Sequence, residues 1–262
     1  MKPLVFCADD FAQSVGISEA ILRLIGRGRL SATSVMSQSP LWPQLAPALL
    51  AEQEHIDMGL HLNLTHPFTA ASRSLGHWLL CSQLRCLSQR RLRDRFVEQI
   101  DRFAEVSGRL PDFLDGHQHV HAFGQIRQAL FAAIAARWPE GQRPYVRAPE
   151  RLIDSGDAYG KAQILKLACR GFAEKAAEHG LCTPSAFAGL YSLTPTANLP
   201  GLMRRWLRDS PAYGLIMCHP GMGEEGDEIG PARQAEYRFL NSDRFLDYCG
   251  RCNVRISRFS PV

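Results

Sequence analysis

The chain has 262 residues, 45% of them hydrophobic, and a formal net charge of +4. A chain of this size can bury a sizeable core, and single α/β barrels commonly run to about 250 residues; so small a charge does not imply nucleic-acid binding. Eight cysteines are scattered through a chain long enough to need no disulfide scaffold, and the one tight pair, Cys249 and Cys252, has no second pair beside it, so the thiols are read as structural or incidental rather than as a zinc or redox motif.

Lys2 to Ala8 reads as a buried first strand ending in Asp9-Asp10-Phe11. Acids this early exclude a signal peptide and a membrane span, and a cytoplasmic protein is expected. Gly16 to Arg27 places Ile17, Ala20, Ile21 and Leu24 at helical spacing. A second strand is predicted over Ala32 to Ser37, a helix near Pro43 to Glu52, and a third strand over Asp57 to Leu64, where His61 and Asn63 alternate with leucines and point away from the apolar face. From His66 to Leu87 no clean period is present, so this stretch, with Trp78 in it, is read as a loop lying over the site. Leu92, Phe96, Ile100 and Phe103 mark an amphipathic helix ending near Gly108. The arginines at 85, 90, 91, 93 and 95 read first as its solvated face and second as an anion-attracting rim.

Phe113-Leu114-Asp115-Gly116 then runs into His117, His119 and His121. Three imidazoles at alternate positions would share one face of a continuing strand. Gly116 and the following Ala-Phe-Gly favour a strand that stops at Asp115, with His117 at its end and the later histidines on a loop. Phe123 to Trp138 is predicted helical, Pro144 to Ala148 a strand ending at Arg147, and Ala158 to His179 one helix. Phe187 to Ser192 reads as a strand, Leu199 to Arg208 as a helix, Tyr213 to Cys218 as a strand running into His219-Pro220-Gly221, Gln234 to Tyr248 as one helix, and Asn253 to Phe259 as the last strand.

Strand and helix alternate throughout, which argues for a mostly parallel sheet covered by helices. Seven or eight such units in one domain, residues 1–262, favour a (β/α) barrel. Asp9, Asp10, His61, Asp115, His117, Arg147 and His219 all fall at the carboxyl ends of predicted strands, the face on which such barrels carry catalytic groups. Asp10 with His61 and His117 makes an Asp-His-His set with open positions, suited to a catalytic divalent ion that keeps a water.

The segments Cys7-Ala8-Asp9-Asp10-Phe11, Thr33-Ser34, Gly59 to Thr65, Asp115 to His121 and Met217 to Gly221 together resemble the YdjC-like family, the ChbG/HpnK carbohydrate deacetylases. The resemblance spans most of the chain. It implies a distorted (β/α) barrel of NodB-like deacetylase architecture that removes an acetyl group from an N-acetylated sugar with one divalent metal ion. Matched position by position, it implies Asp10, His61 and His117 as metal ligands and Asp9 as the base, with His219 inferred as the acid. Arg147-Ala148-Pro149 resembles the segment by which NodB-type enzymes position that base. Asp115 and His121 are expected to orient the ligands, and Asn63 and Trp78 either to contact the substrate or to support the residues that do. The chain departs from the family pattern at Cys7, Ala12 and Gly116, none of them a proposed catalytic group.

The resemblance points to Mg²⁺, whereas two imidazoles favour Zn²⁺ or another transition metal. The expected partner is an N-acetylated sugar or glycoconjugate, with neither nucleic acid nor a membrane span, and a homodimer is allowed. An Asp-His-His site also serves metal-dependent ester or phosphoester hydrolysis, and a non-catalytic sugar-binding protein with a structural metal is the third reading.

Overall fold

A computed structural model describes residues 1–154, 156–223 and 226–260 of the chain. The elements run β1 (Lys2–Phe11), α1 (Val15–Gly26), β2 (Ala32–Val35), α2 (Trp42–Leu50), β3 (Asp57–Leu62), α3 (Leu75–Gln83), α4 (Gln89–Ser107) and β4 (Phe113–Gly116), which leads into a 3-10 turn (His117–Ala122). They continue with α5 (Gly124–Arg137), β5 (Tyr145–Val146), a second 3-10 turn (Pro149–Arg151), α6 (Tyr159–Cys169), α7 (Phe172–Glu178), β6 (Phe187–Ala188), α8 (Leu199–Asp209), β7 (Leu215–Cys218), α9 (Gly230–Asn241), α10 (Asp243–Arg251) and β8 (Val254–Ile256).

The strands form one sheet in the order β5-β4-β3-β2-β1-β7-β6, with β8 pairing the first residues of β1. Among the described residues every pairing of these strands is parallel. That explains the unbroken apolar run of β1, since a parallel strand covered on both faces has no solvated side to alternate with. The two end strands have only two residues each, and a parallel bridge between Leu152 and Phe187 spans the seam between them. The result is a distorted barrel in which one seam is held by a bridge and a few hydrogen bonds, such as Ile153 N–H to the Phe187 carbonyl at 3.0 Å. Helices cover the outside; Trp42 of α2, for example, is fully buried and stacks on Phe103 of α4 at 5.5 Å.

Four elements differ from the sequence expectation. The stretch after β3 contains a helix, α3, started by Ser74, whose side chain accepts the His77 N–H; the alternation of small, polar and apolar residues there hides its period. The helix predicted over Ala158 to His179 is two, broken where Gly171 takes φ +74°. The helix predicted from Gln234 starts at Gly230 and is broken at Ser242, whose extended ψ of 156° ends α9 before α10 begins. Finally β1 continues through Asp9 and Asp10 to Phe11 instead of stopping at Ala8.

That continuation is irregular. The β1–β2 register shifts between Ala8 and Phe11, and Asp10 sits at φ +69°. A bulge of this kind re-aims side chains, and a non-glycine residue in the left-handed region stores strain of order 1 kcal/mol or more. The turn after β4 uses the same device: Gln118 and His119 have φ +53° and +60°, which ends the strand and takes the later histidines off its face.

Below the site, Gly59 of β3 lies opposite Phe113 of β4, and the Phe113 ring fills the space where a side chain would stand: a Cβ on Gly59 would fall 2.3 Å from Phe113 Cζ. Phe113 cannot easily retreat, because its other face stacks on Tyr145 at 4.9 Å. Gly59→Ala is therefore expected to lower the unfolding free energy by about 2 kcal/mol through overpacking, measured by urea denaturation. An unchanged midpoint would show that Phe113 is not fixed as described.

Candidate active site

The carboxyl end of the sheet gathers the polar groups. Asp10 comes from the bulge of β1, His61 from the end of β3, and His117 from the first residue after β4. Asp10 Oδ1 lies 3.3 Å from His61 Nε2 and 3.0 Å from His117 Nδ1. The donor atoms of the three residues all lie within 4.8 Å of one another. Adjacent donors around one ion bound at about 2.1 Å stand about 3 Å apart, so this set fits a shared metal ion.

His61 is oriented from behind. Its Nδ1 lies 2.7 Å from Asp115 Oδ1 and 3.0 Å from Ser34 Oγ. A proton held on Nδ1 by Asp115 leaves the Nε2 lone pair turned to Asp10, the arrangement that presents a ligating imidazole. Asp9, one residue earlier, turns the other way. Arg147, just past β5 and fully buried, donates to both its oxygens, Nη1 to Oδ2 at 2.7 Å and Nη2 to Oδ1 at 2.6 Å. The same guanidinium ion-pairs with Asp115 Oδ2 at 2.6 Å and lies 3.2 Å from the Cys7 sulfur. Cys7, Asp9 and Asp115 also cluster closely enough to hold an ion, but Arg147 already supplies their cation. His121 Nε2 donates to the Arg147 carbonyl at 2.9 Å and so fixes the arginine's backbone.

His219 follows β7, with Nε2 3.9 Å from Asp9 Oδ2. Its backbone N–H donates to Glu236 Oε2 at 2.6 Å, and Glu236 also accepts the Tyr191 hydroxyl at 2.7 Å. Arg233, one turn before Glu236 on α9, donates to Asp10 Oδ2 at 2.8 Å and to Asp227 at 2.9 Å. Sequence reasoning missed Arg233 because the helix expected from Gln234 starts four residues earlier, at Gly230, and missed Glu236 because nothing in the pattern sets it apart inside that helix. Pro231 in the first turn was the signal that would have placed its start correctly.

Charge explains the electrostatics. Asp9, Asp10 and Asp115 face two buried guanidiniums, Arg147 and Arg233, and Glu236 is a fourth buried carboxylate beside them. Burial alone would raise the Asp9 and Asp10 carboxyls, but Arg147 holds Asp9, and Arg233 with His117 holds Asp10, well below the usual carboxylate range. Burial alone would likewise lower His61; Asp115, Asp9 and Asp10 outweigh it and push the imidazole up to about 10. The cluster thus asks for one more cation at His61, either a proton or a metal ion. His119 and His121, by contrast, are pushed down by burial, His121 to about 4, and stay neutral.

Two further expected residues, Asn63 and Trp78, have their polar atoms engaged in the segment after β3. Asn63 spends its side chain on the loop, donating to the His66 carbonyl and Gln38 and accepting from the backbone of Thr65 and His66. Trp78 is buried, and its indole N–H donates to the Leu64 carbonyl at 2.9 Å. Both brace the segment after β3. The segment they brace does reach the cluster, since the His66 ring stands 5.9 Å from that of His117.

The family model described as YdjC-like protein matches residues 3–251. The chain belongs to the YdjC-like family. Among YdjC-like relatives, a mouse carbohydrate deacetylase is 28% identical over 83% of this chain and 77% of its own length. A chitooligosaccharide deacetylase from Proteus mirabilis (strain HI4320) is 32% identical over 47% of this chain, and the match spans about half (51%) of that protein. Among solved structures, a protein from Enterococcus faecalis V583, provisionally named for cellobiose-phosphate cleavage, superposes with a TM-score of 0.72 at 17% identity over 98% of this chain and 97% of that one, which shows a shared fold.

Two outcomes follow for the YdjC-like site. Asp115→Asn is expected to weaken divalent-metal binding by about 10- to 100-fold, read by isothermal titration, while the far-ultraviolet circular dichroism stays unchanged; undiminished affinity would remove Asp115 from the ligand-orienting role. Because His61 must lose its proton to bind an ion, metal uptake at pH 7.5 is expected to release about one proton. The sign is fixed by the raised value: affinity climbs as pH rises toward about 10 and falls on the acid side. Titration in buffers of differing ionisation enthalpy measures the released proton, and a pH-independent affinity between pH 6 and 9 would contradict the account.

Proposed function

We propose that this protein is a metal-dependent hydrolase that removes an acetyl group from an N-acetylated sugar. The observation that carries the reading is the flanking of the Asp10–His61–His117 set by a carboxylate and an imidazole, Asp9 and His219, 3.9 Å apart. The named activity of the mouse and bacterial relatives supports the same reading. Asp10, His61 and His117 would hold one divalent ion, Mg²⁺ by family resemblance, with Zn²⁺ or another transition metal equally suited to two imidazoles. When bound, such an ion supplies Lewis acidity to the acetamide carbonyl and acidifies a water.

The protein's own groups supply the rest. Arg147 keeps Asp9 ionised and fixes its direction with two hydrogen bonds. A carboxylate held so low is a weak base at equilibrium, so its contribution is positional: it takes a proton from a nucleophile that is already acidified. His219 stands across from Asp9 with its main chain pinned by Glu236, where its imidazole delivers a proton to the departing amine. An amide nitrogen leaves poorly unless protonated, so this step decides turnover on amides. Phosphoester hydrolysis fits less well: both buried guanidiniums near the cluster are committed to carboxylates, leaving neither for a phosphate.

The test is the deacetylation of an N-acetylated oligosaccharide, read by mass spectrometry as the loss of one acetyl, in wild type and His219→Ala. The variant is expected to lose amide hydrolysis by about 100-fold or more and to lose hydrolysis of an activated acetate ester far less, since that leaving group needs no proton. Equal loss on both would reject the acid role. No acetyl loss with metal-loaded wild type across N-acetylated oligosaccharides and glycoconjugates would overturn the functional reading.

A further inference from the structure

Two stretches beside the catalytic face combine exposed apolar side chains with one sign of charge. Residues 66–93, which include α3, carry five arginines and no acid; residues 158–173, which include α6, carry two lysines and one arginine and no acid. At the chain's overall frequency of 26 acids in 262 residues, these 44 positions would hold about four. The eight positive charges exceed the chain's net +4, so the rest of the molecule is net negative, at −4. Acids border both stretches, at Asp94, Asp157 and Glu174, and Asp94 pairs with Arg93 at 3.8 Å, so the unbalanced charge lies inside the stretches.

Both stretches lean on the same place. Ser82 of α3 accepts the Gln125 N–H, and the Ala168 and Arg170 carbonyls at the end of α6 accept from Arg127, so the two helices flank the first turn of α5. That turn directly follows the 3-10 turn begun by His117, at the carboxyl end of the sheet. On the outer side of α3 and its end, Leu80 is 59% and Leu84 68% exposed; on α6, Ile164 is 59% and Leu167 72% exposed. These pairs are spaced i,i+4 and i,i+3, so each forms a short apolar ridge on its helix. Scattered surface leucines need no explanation, but here each exposed apolar pair belongs to a stretch that also carries basic side chains, Arg85, Arg90 and Arg91 in one and Lys161, Lys166 and Arg170 in the other. Among the described residues no acidic side chain pairs with Arg85, Arg90 or Arg91.

We propose that this face docks on an anionic lipid bilayer, with the two apolar ridges entering the headgroup layer and the basic side chains meeting lipid phosphates. Nucleic acid would satisfy the charge but not the exposed leucines, which would remain in water. Attraction of these basic stretches to the negatively charged surface would bring the neighbouring catalytic face toward it. No helix among the described residues is long and apolar enough to cross a membrane, so the contact is peripheral. On the deacetylase reading, docking brings sugars displayed at the bilayer surface to the metal cluster.

The test is cosedimentation of the full chain with phosphatidylcholine vesicles containing roughly 30% phosphatidylglycerol, against pure phosphatidylcholine. Wild type is expected on the anionic vesicles only, and raising the salt is expected to release it. The pairs Arg90→Glu with Arg91→Glu, and Leu80→Ser with Leu84→Ser, are each expected to lower the partition coefficient by about ten-fold, with thermal unfolding unchanged as the check that both still fold. Absence of wild type from anionic vesicles would overturn the proposal. So would a leucine variant that binds vesicles, and a DNA duplex, as tightly as wild type, since the surface would then be a general polyanion site. Sedimentation needs no turnover, so its failure is distinct from a failure of the deacetylase reading.

Discussion

Asp9, Asp10 and Asp115 are buried with two guanidiniums at the carboxyl end of the sheet, with Glu236 buried beside them, and the imbalance of charge governs the site. Buried charge is tolerated only when paired and hydrogen-bonded, and Arg147 and Arg233 pair all three aspartates without neutralising the set. The remaining negative charge is felt most at His61, which is why that imidazole is drawn toward its charged form even though it is buried. A metal ion at the same point satisfies the identical demand and leaves the histidine neutral as a ligand. The centre can thus exchange a proton for a metal ion without rebuilding its surroundings.

The fold serves this balance through irregularities. Neighbouring residues on a regular strand face opposite ways, yet Asp9 and Asp10 both belong to the cluster, and the bulge with Asp10 at φ +69° is what allows it. Arg147 reaches Asp9 and Asp115 at once because β5 ends after two residues and releases the chain inward. Arg233 and Glu236 come from one face of α9 and tie the Asp10 carboxylate and the His219 backbone to the same helix. Displacing that helix would disturb the Asp-His-His set and His219 together.

Much of this was legible in the sequence, for identifiable reasons. Strands flanked on both sides are continuous apolar runs, so their carboxyl ends could be located, and with them Asp10, His61, Asp115, His117, Arg147 and His219. The break after His117 was also readable, because Gly116 and the following Ala-Phe-Gly do not sustain a strand. Arg233 was not readable as a partner of Asp10, since 223 residues separate them and an arginine near a helix start is ordinarily solvated. Asn63 and Trp78 show what position alone leaves open. Position after a strand end placed them near the site, but only the loop's own hydrogen bonds reveal that their polar atoms are already used. Helix breaks at Gly171 and Ser242 were hidden because the apolar period runs through them.

The account is tested most directly by soaking crystals of the protein with Mn²⁺ or Zn²⁺ and recording anomalous scattering at the metal edge. One peak bonded by Asp10 Oδ1, His61 Nε2 and His117 Nδ1, with Arg147 still bridging Asp9 and Asp115, is the predicted result. A peak among Cys7, Asp9 and Asp115 with Arg147 displaced, or no peak at the carboxyl end of the sheet, would contradict it.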